Sequence, residues 1–187
     1  HETERQWKCN FETGDCVAQQ VLEDLKKEGI AKYIGTSCWD YDVLVKVINT
    51  GRLDAVLSAG GIHLLSKVGV DALIPACEKN NVGLIVGGCL GQNNPGLVMK
   101  DYALTERMIN SGDEVKRVTG EKLNKLYALS DELGISMIEM AIRYALSFEG
   151  IHCNVMGARE VAHIQSNIAS AEKGPLSQDV IDRIHEI

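Results

Sequence analysis

Four times along this sequence a short, nearly unbroken apolar run ends in a small residue and gives way to an amphipathic stretch. The runs are "AKYIGTS" (31–37), "LDAVLSAGG" (53–61), "VGLIVGGC" (82–89) and "IHCNVMG" (151–157). Runs this short, with helical patterns between them, predict strands buried on both faces in a parallel sheet, an α/β architecture. Each ends in Gly, Ser or Cys, and α/β folds place their ligands beyond the carboxyl ends of their strands. Four such units suit an open doubly wound sheet or half of an eight-stranded barrel, and spacing alone does not choose between them.

The intervening helices are legible from their period of 3.6. Residues 17–28 set Val17, Val21, Leu22 and Leu25 on one face, with Gly29 as a stop. Asp40 is placed to cap 41–50, which Gly51 ends, and 69–80 forms the next helix. Leu123, Leu126, Tyr127 and Leu133 form a stripe in 119–134. Ser136 and Glu139 have the spacing of a capping box for 136–147. Val161, Ile164, Ile168 and Ala171 align in 160–171, and 177–187 closes the chain. Between 89 and 118 periodicity is weak and Gly, Asn and Lys are frequent. That stretch is expected to be a long loop at the face bearing the active site, within a single domain covering 1–187.

The net charge of -7 argues against a general nucleic-acid binder and against docking on an anionic membrane. Six cysteines are scattered without a CxxC pair or metal-ligand spacing, and several sit inside apolar runs. Buried, reduced thiols and a cytoplasmic location are therefore expected. His63, His152 and His185 lie far apart and have no matching carboxylate or cysteine spacing, so no metal site is expected. No apolar run reaches ~18 residues, as a membrane-spanning helix requires, and no signal peptide is visible. The first residue is His, from which a piece of a longer chain is expected.

The stretch "CNVMGAREVAHIQSN" (153–167) concentrates the binding chemistry. Gly157 and Ala158 permit close backbone approach, Arg159 brings a cation, and a helix begins near Glu160 with its N–H donors unpaired. Together these describe a seat for an anion.

The run "LEDLKKEGIAKYIGTSCWDYDVLVKVINTGRLDAVLS" resembles the middle of an aldo-keto reductase: helix, Lys-Glu-Gly, Ile-Arg-x-Ile-Gly-Val-Ser-Asn, helix, strand. "ALSDELGISMIEMAIRYALS" is similar to the family's helix–Gly-Ile-Ser–helix pair. "VMGAREVAHIQSNI" resembles its closing cofactor motif, Gly-x-Arg with an Asn two turns on. The resemblance covers about residues 17–187. It implies a (β/α)8 TIM-barrel type fold of which this chain is roughly the second half, strands 5–8 with their helices, in the galactose/fucose dehydrogenase-like branch.

The resemblance implies further expectations. NADP or NAD is bound in an extended pose, and hydride passes between it and the carbonyl or hydroxyl carbon of an aldose or small aldehyde. A tyrosine assisted by a Lys–Asp pair supplies the proton, and these belong to the half of the barrel that this sequence lacks, so the chain alone is expected to be inactive. His1, in "HETE", stands where the family has its active-site histidine. Ser37 takes the place of a carboxamide contact, with Cys38 where the family has Asn. Gly88 and Leu90, in "VGGCLGQ", stand at a strand end facing the cofactor. Gly157, Ala158 and Arg159 take the phosphate, His163 and Gln165 line the same groove, and Asn167 matches an adenine contact. The segment 89–118 would shape the substrate mouth or fold over the cofactor. Cys38, Leu57 and Gly87 depart from the family's pattern, which supports a second expectation, a non-catalytic nucleotide-binding or regulatory subunit. The expected partners are a small carbonyl or sugar substrate, the missing half of the barrel, and a second copy of the chain through open sheet edges.

Overall fold

A computed structural model describes residues 16–91 and 94–187. Contacts divide the chain into two compact units, His1–Gly61 with Val68–Gly87 and Gly150–Val155, and Ile62–Lys67 with Gly88–Glu149 and Met156–Ile187.

The first unit holds all four strands. In order it contains α1 (Val17–Lys27), β1 (Gly35–Cys38), α2 (Tyr41–Asn49), β2 (Ala55–Ala59), α3 (Val68–Asn80) and β3 (Gly83–Gly87), with β4 (Cys153–Val155) arriving late in the sequence. The strands pair in the order β1-β2-β3-β4. Every pair is parallel, with Ser37 opposite Leu57, Ser58 opposite Val86 and Gly87 opposite Val155. The expectation of a parallel sheet holds. α2 and α3 pack on each other and against these strands, burying Val56, Leu84 and Val86 beneath them. Leu57 and Ile85 alternate onto the other face and are half-buried. Asp40 caps α2 by accepting the Val43 N–H at 3.1 Å, as its position predicts.

A parallel sheet has no hairpins to set its register, and in the first three strands one residue does much of that. Asp54 donates its N–H to Ile34 O at 2.9 Å and accepts the Gly83 N–H on its own carbonyl at 2.8 Å. Its carboxylate accepts the Ile34 N–H at 2.9 Å and Lys26 Nζ at 2.7 Å. The approaches to β1, β2 and β3 thus meet on one side chain and its own peptide groups.

In the second unit, the stretch expected as a loop, 89–118, is largely structured. It contains a 3-10 turn (Pro95–Leu97), helix α4 (Tyr102–Ile109) and the start of α5 (Glu114–Leu133). Asp101 and Asp113 cap the two helices through their side chains. α4 is a short, capped helix, and the first turn of α5 is polar, so hydrophobic period alone misses both. Leu97, Leu123, Leu126 and Tyr127 are fully buried, while Leu133 is only half-buried. Helix α6 (Met137–Ala145) begins with Ser136 accepting the Glu139 N–H at 3.1 Å. The capping box is half formed. The Glu139 carboxylate turns away to Lys173 Nζ at 2.7 Å and Arg143 at 3.2 Å, because two cations outcompete one backbone N–H for a buried anion.

Helices α7 (Val161–Glu172) and α8 (Gln178–Glu186) complete the unit. The expected apolar stripe of α7 lies outward, with Val161 71%, Ile164 50% and Ile168 53% exposed, whereas Asn167 and Ser170 are buried. On α1 likewise Val17 and Val21 are exposed and Gln19 is buried. Periodicity identifies a face that favours burial but not the element that buries it. Among the described residues nothing covers these two faces. The expectation of buried thiols holds for Cys16, Cys38, Cys77 and Cys89 and fails for Cys153, which is exposed on the edge strand β4. All five are free. Burial pushes the Cys77 thiol up to about 11, so it stays protonated and inert.

Lys26 first, and then the Ile34 N–H, hold the Asp54 carboxyl below the usual carboxylate range. Its stabilising contribution is therefore present above about pH 4 and is lost as pH falls through the depressed folded-state value. Asp54→Asn should cost about 1 kcal/mol in urea melts near neutrality, discounted because Lys26 is partly solvated. The gap from wild type should close as pH falls through the depressed folded-state value, below which both side chains are neutral.

Candidate functional site

Within the second unit, a cavity of about 440 Å³ is lined by Leu90, Val98, Ile138, Gly157, Ala158, Arg159, His163, Ser166 and Asn167. That volume lies in the range of small-molecule pockets. Three segments meet there. The turn after β3 presents Leu90. Gly88 takes φ +79 and Gly91 φ +68, and Gly91 N–H closes onto Gly88 O at 2.8 Å. A Cβ on Gly91 would collide with Leu97 Cδ1, so glycine is required for Leu90 to be carried on so short a turn. Val98 follows the 3-10 turn and Ile138 comes from the first turn of α6, and these three supply an apolar wall. The loop Gly157–Arg159 and one face of α7 supply the polar wall.

The polar wall is open to a ligand. Arg159 forms no ion pair or hydrogen bond among the described residues. A Cβ on Gly157 would meet no heavy atom within 4 Å, so no described residue occupies that space. Helix α7 has Glu160 at its N-cap with no side-chain bond. The Val161 and Ala162 N–H groups find no acceptor among the described residues, whereas the His163 N–H folds back on Glu160 O at 3.1 Å. Free donors at the positive end of a helix, beside an unpaired guanidinium, favour an anion. The Glu160 carboxylate, one residue away, opposes this in part.

Six of the nine residues expected to contact a cofactor therefore line one cavity: Leu90, Gly157, Ala158, Arg159, His163 and Asn167. Gly88 forms the turn that presents Leu90. Ser37, half-buried, and Cys38, buried, stand at the carboxyl end of β1 in the first unit. His1 lies outside the described residues. Val98, Ile138 and Ser166 were not anticipated. Ser166 carried a usable signal, standing three residues after His163 on the same helical face. Val98 and Ile138 carried none, since an apolar residue in a turn or helix is more often core. Among the described residues, no group of three His, Cys, Asp or Glu side chains is gathered to hold a metal. His63 and His185 have structural partners, the Leu65 N–H at 3.2 Å and the Tyr144 hydroxyl at 2.9 Å, and burial pushes His63 below the usual imidazole range.

The sequence matches the model of the aldo/keto reductase family over residues 4–187. The chain belongs to that family. It is 22% identical over 147 residues to a D-threo-aldose 1-dehydrogenase of Pseudomonas sp, covering 79% of this chain and 44% of that protein. It is 26% identical over 178 residues to a probable voltage-gated potassium channel subunit beta of Arabidopsis thaliana, covering 86% and 53% respectively. Among solved structures, an aldo-keto reductase of Bacillus halodurans in its holo form superposes with a TM-score of 0.65 at 18% identity, over 89% of this chain and 54% of that one. The apo form of the same protein gives 0.66, over 93% and 56%. The fold is thus the four-stranded parallel portion of an aldo-keto reductase barrel, and the chain spans about half the length of the relatives it matches.

Since neither Gly157 nor Arg159 is held by the chain itself, Gly157→Ala and Arg159→Ala should each leave folding stability within about 0.5 kcal/mol of wild type. Urea denaturation checks this. A larger loss would mean that these residues serve the fold.

Proposed function

We propose that this chain forms the cofactor-binding part of an NAD(P)-dependent oxidoreductase acting at the carbonyl or hydroxyl carbon of an aldose or small aldehyde. The observation that carries the proposal is the gathering of Leu90, Gly157, Ala158, Arg159, His163 and Asn167 around one cavity, from segments almost 70 residues apart. The residues fit a nucleotide phosphate. An unpaired guanidinium, two unclaimed helix N-terminal N–H groups and a glycine with open space beside it offer donors without a steric block. The apolar wall of Leu90, Val98 and Ile138 suits the face of an aromatic base, with Asn167 as a neighbouring hydrogen-bonding group.

In this proposal Arg159 and the α7 amides fix the phosphate end, and Ser37 with Cys38 receives the carboxamide end, where the Ser37 hydroxyl can donate or accept. His1 would orient the substrate carbonyl. The bound nicotinamide supplies hydride chemistry; the chain's part is to bind and orient. A thiol at Cys38 replaces an amide that could both donate and accept, which weakens that grip. The 89–118 segment would border the substrate mouth. The missing half of the barrel is the proposed partner, with a second copy of this chain as the alternative. The outer positions of β1 and β4 and the uncovered apolar face of α7 support both. A reducing, cytoplasmic setting agrees with cysteines that form no disulfide among the described residues, and among the described residues no helix is long and apolar enough to cross a membrane.

A second reading is a non-catalytic nucleotide-binding or regulatory subunit. It is favoured by the relative named as a probable channel beta subunit and by Cys38 and Leu57 at polar positions of the family's pattern.

Calorimetric titration with NADP+ and with NAD+ tests the binding common to both readings. Arg159→Ala should weaken binding by about 10- to 100-fold, the value of one charged hydrogen bond. Absence of heat with either nucleotide overturns the proposal. Without the family's acid tyrosine and its Lys–Asp pair, this chain alone should show no NADPH-dependent aldehyde reduction. Measurable turnover would show that another acid takes that role.

A further inference from the structure

The β3–β4 pairing begins with an unusual bracket. The His152 N–H donates to Leu84 O at 2.9 Å, and the Leu84 N–H donates to His152 Nδ1 at 3.1 Å. One residue therefore satisfies both main-chain groups of Leu84, the second through its imidazole where a backbone carbonyl would ordinarily stand. Leu84 is fully buried, so its N–H has no water to turn to. A backbone N–H can only donate, so Nδ1 must be the accepting nitrogen and the proton must sit on Nε2. A second proton would enter at Nδ1, and that protonation and the Leu84 bond exclude one another.

We propose that His152 is an acid-sensitive bracket for β4, docking the strand when the imidazole is neutral and releasing its first hydrogen bond to β3 when protonated. Two features make β4 responsive. It is only three residues long, Cys153–Val155, and it pairs with β3 alone among the described strands. His152 itself is exposed, so protons reach it freely. Glu78 of α3 brings Oε1 within 3.2 Å of where a Gly150 Cβ would stand, with Lys79 beside it on the same turn. Asp54, whose carbonyl takes the Gly83 N–H, has its carboxylate bound to Lys26. Cys153 adjoins on β4, and β3 contributes no titratable side chain. The proposal stands apart from nucleotide binding and would survive its failure.

Amide hydrogen exchange of the full chain, followed by NMR and expressed as protection factors, provides the test. Between pH 8 and pH 5.5 the Leu84 amide should lose at least tenfold in protection. The Gly83 amide, bonded to Asp54 O, should keep its protection. His152→Asn places an oxygen acceptor close to the Nδ1 position but does not titrate, and it should hold Leu84 protection flat across that range. His152→Phe, with no acceptor, should show low protection at both pH values. The nitrogen shifts of the ring should report the Nε2–H tautomer at pH 8. Equal wild-type protection at both pH values, a pH dependence that persists in His152→Asn, full protection in His152→Phe, or an Nδ1–H tautomer would each overturn the proposal.

Discussion

Alignment of parallel strands without hairpins is the constraint on which this structure depends. An antiparallel hairpin inherits its register from its turn, whereas each parallel neighbour here returns through a helix that could tolerate a slip. Slippage by one residue would exchange Val56, Leu84 and Val86 with the half-buried face of Leu57 and Ile85. Asp54 resists this by bonding Ile34 on one side and Gly83 on the other. His152 performs the corresponding task for the last strand on Leu84. Both work at the amino ends of their strands.

That division of labour shapes the site. With registers set at one edge, the opposite edge of the sheet can end in Cys38, Ala59, Gly87 and Val155 without long side chains to hold the strands together. Beyond β3, the Gly88–Gly91 turn spends its glycines on a tight reversal that presents Leu90. Beyond β4, the chain reaches Gly157 two residues later and begins α7 with unclaimed donors. Small residues at strand ends are what make backbone groups, rather than side chains, available to a ligand.

The strands, helices α1 to α3 and the parallel sheet were legible because short apolar runs with glycine stops leave few alternatives. Helix α4 was not. Its segment lacks a stripe, and its signal was Asp101 as a cap, which a search for hydrophobic period passes over. The grouping of Gly157, Ala158 and Arg159 at the start of α7 was legible, because glycine, cation and helix start are adjacent in sequence. The apolar wall was not, since Val98 and Ile138 become neighbours only through folding. Glu139 shows a third kind of miss. The capping-box spacing is present, but Lys173, 34 residues on, offers the carboxylate a better partner.

Helix α7 shows how local pattern and observed burial can disagree to a purpose. At 100° per residue, Val161, Ile164 and Ile168 share one side, and His163, Ser166, Asn167 and Ser170 share the other. The usual assignment of those sides is inverted, with the polar face lining the cavity or packed within its unit and the apolar face exposed. A helix anchored by Asn167 and Ser170 and packed on α6 gains little from burial of its own apolar residues. A ligand on the polar face and a covering element on the apolar face would each restrain the same backbone. Whichever binds first lowers the ordering cost for the second, and the two events are then linked in free energy even if the occupants never touch.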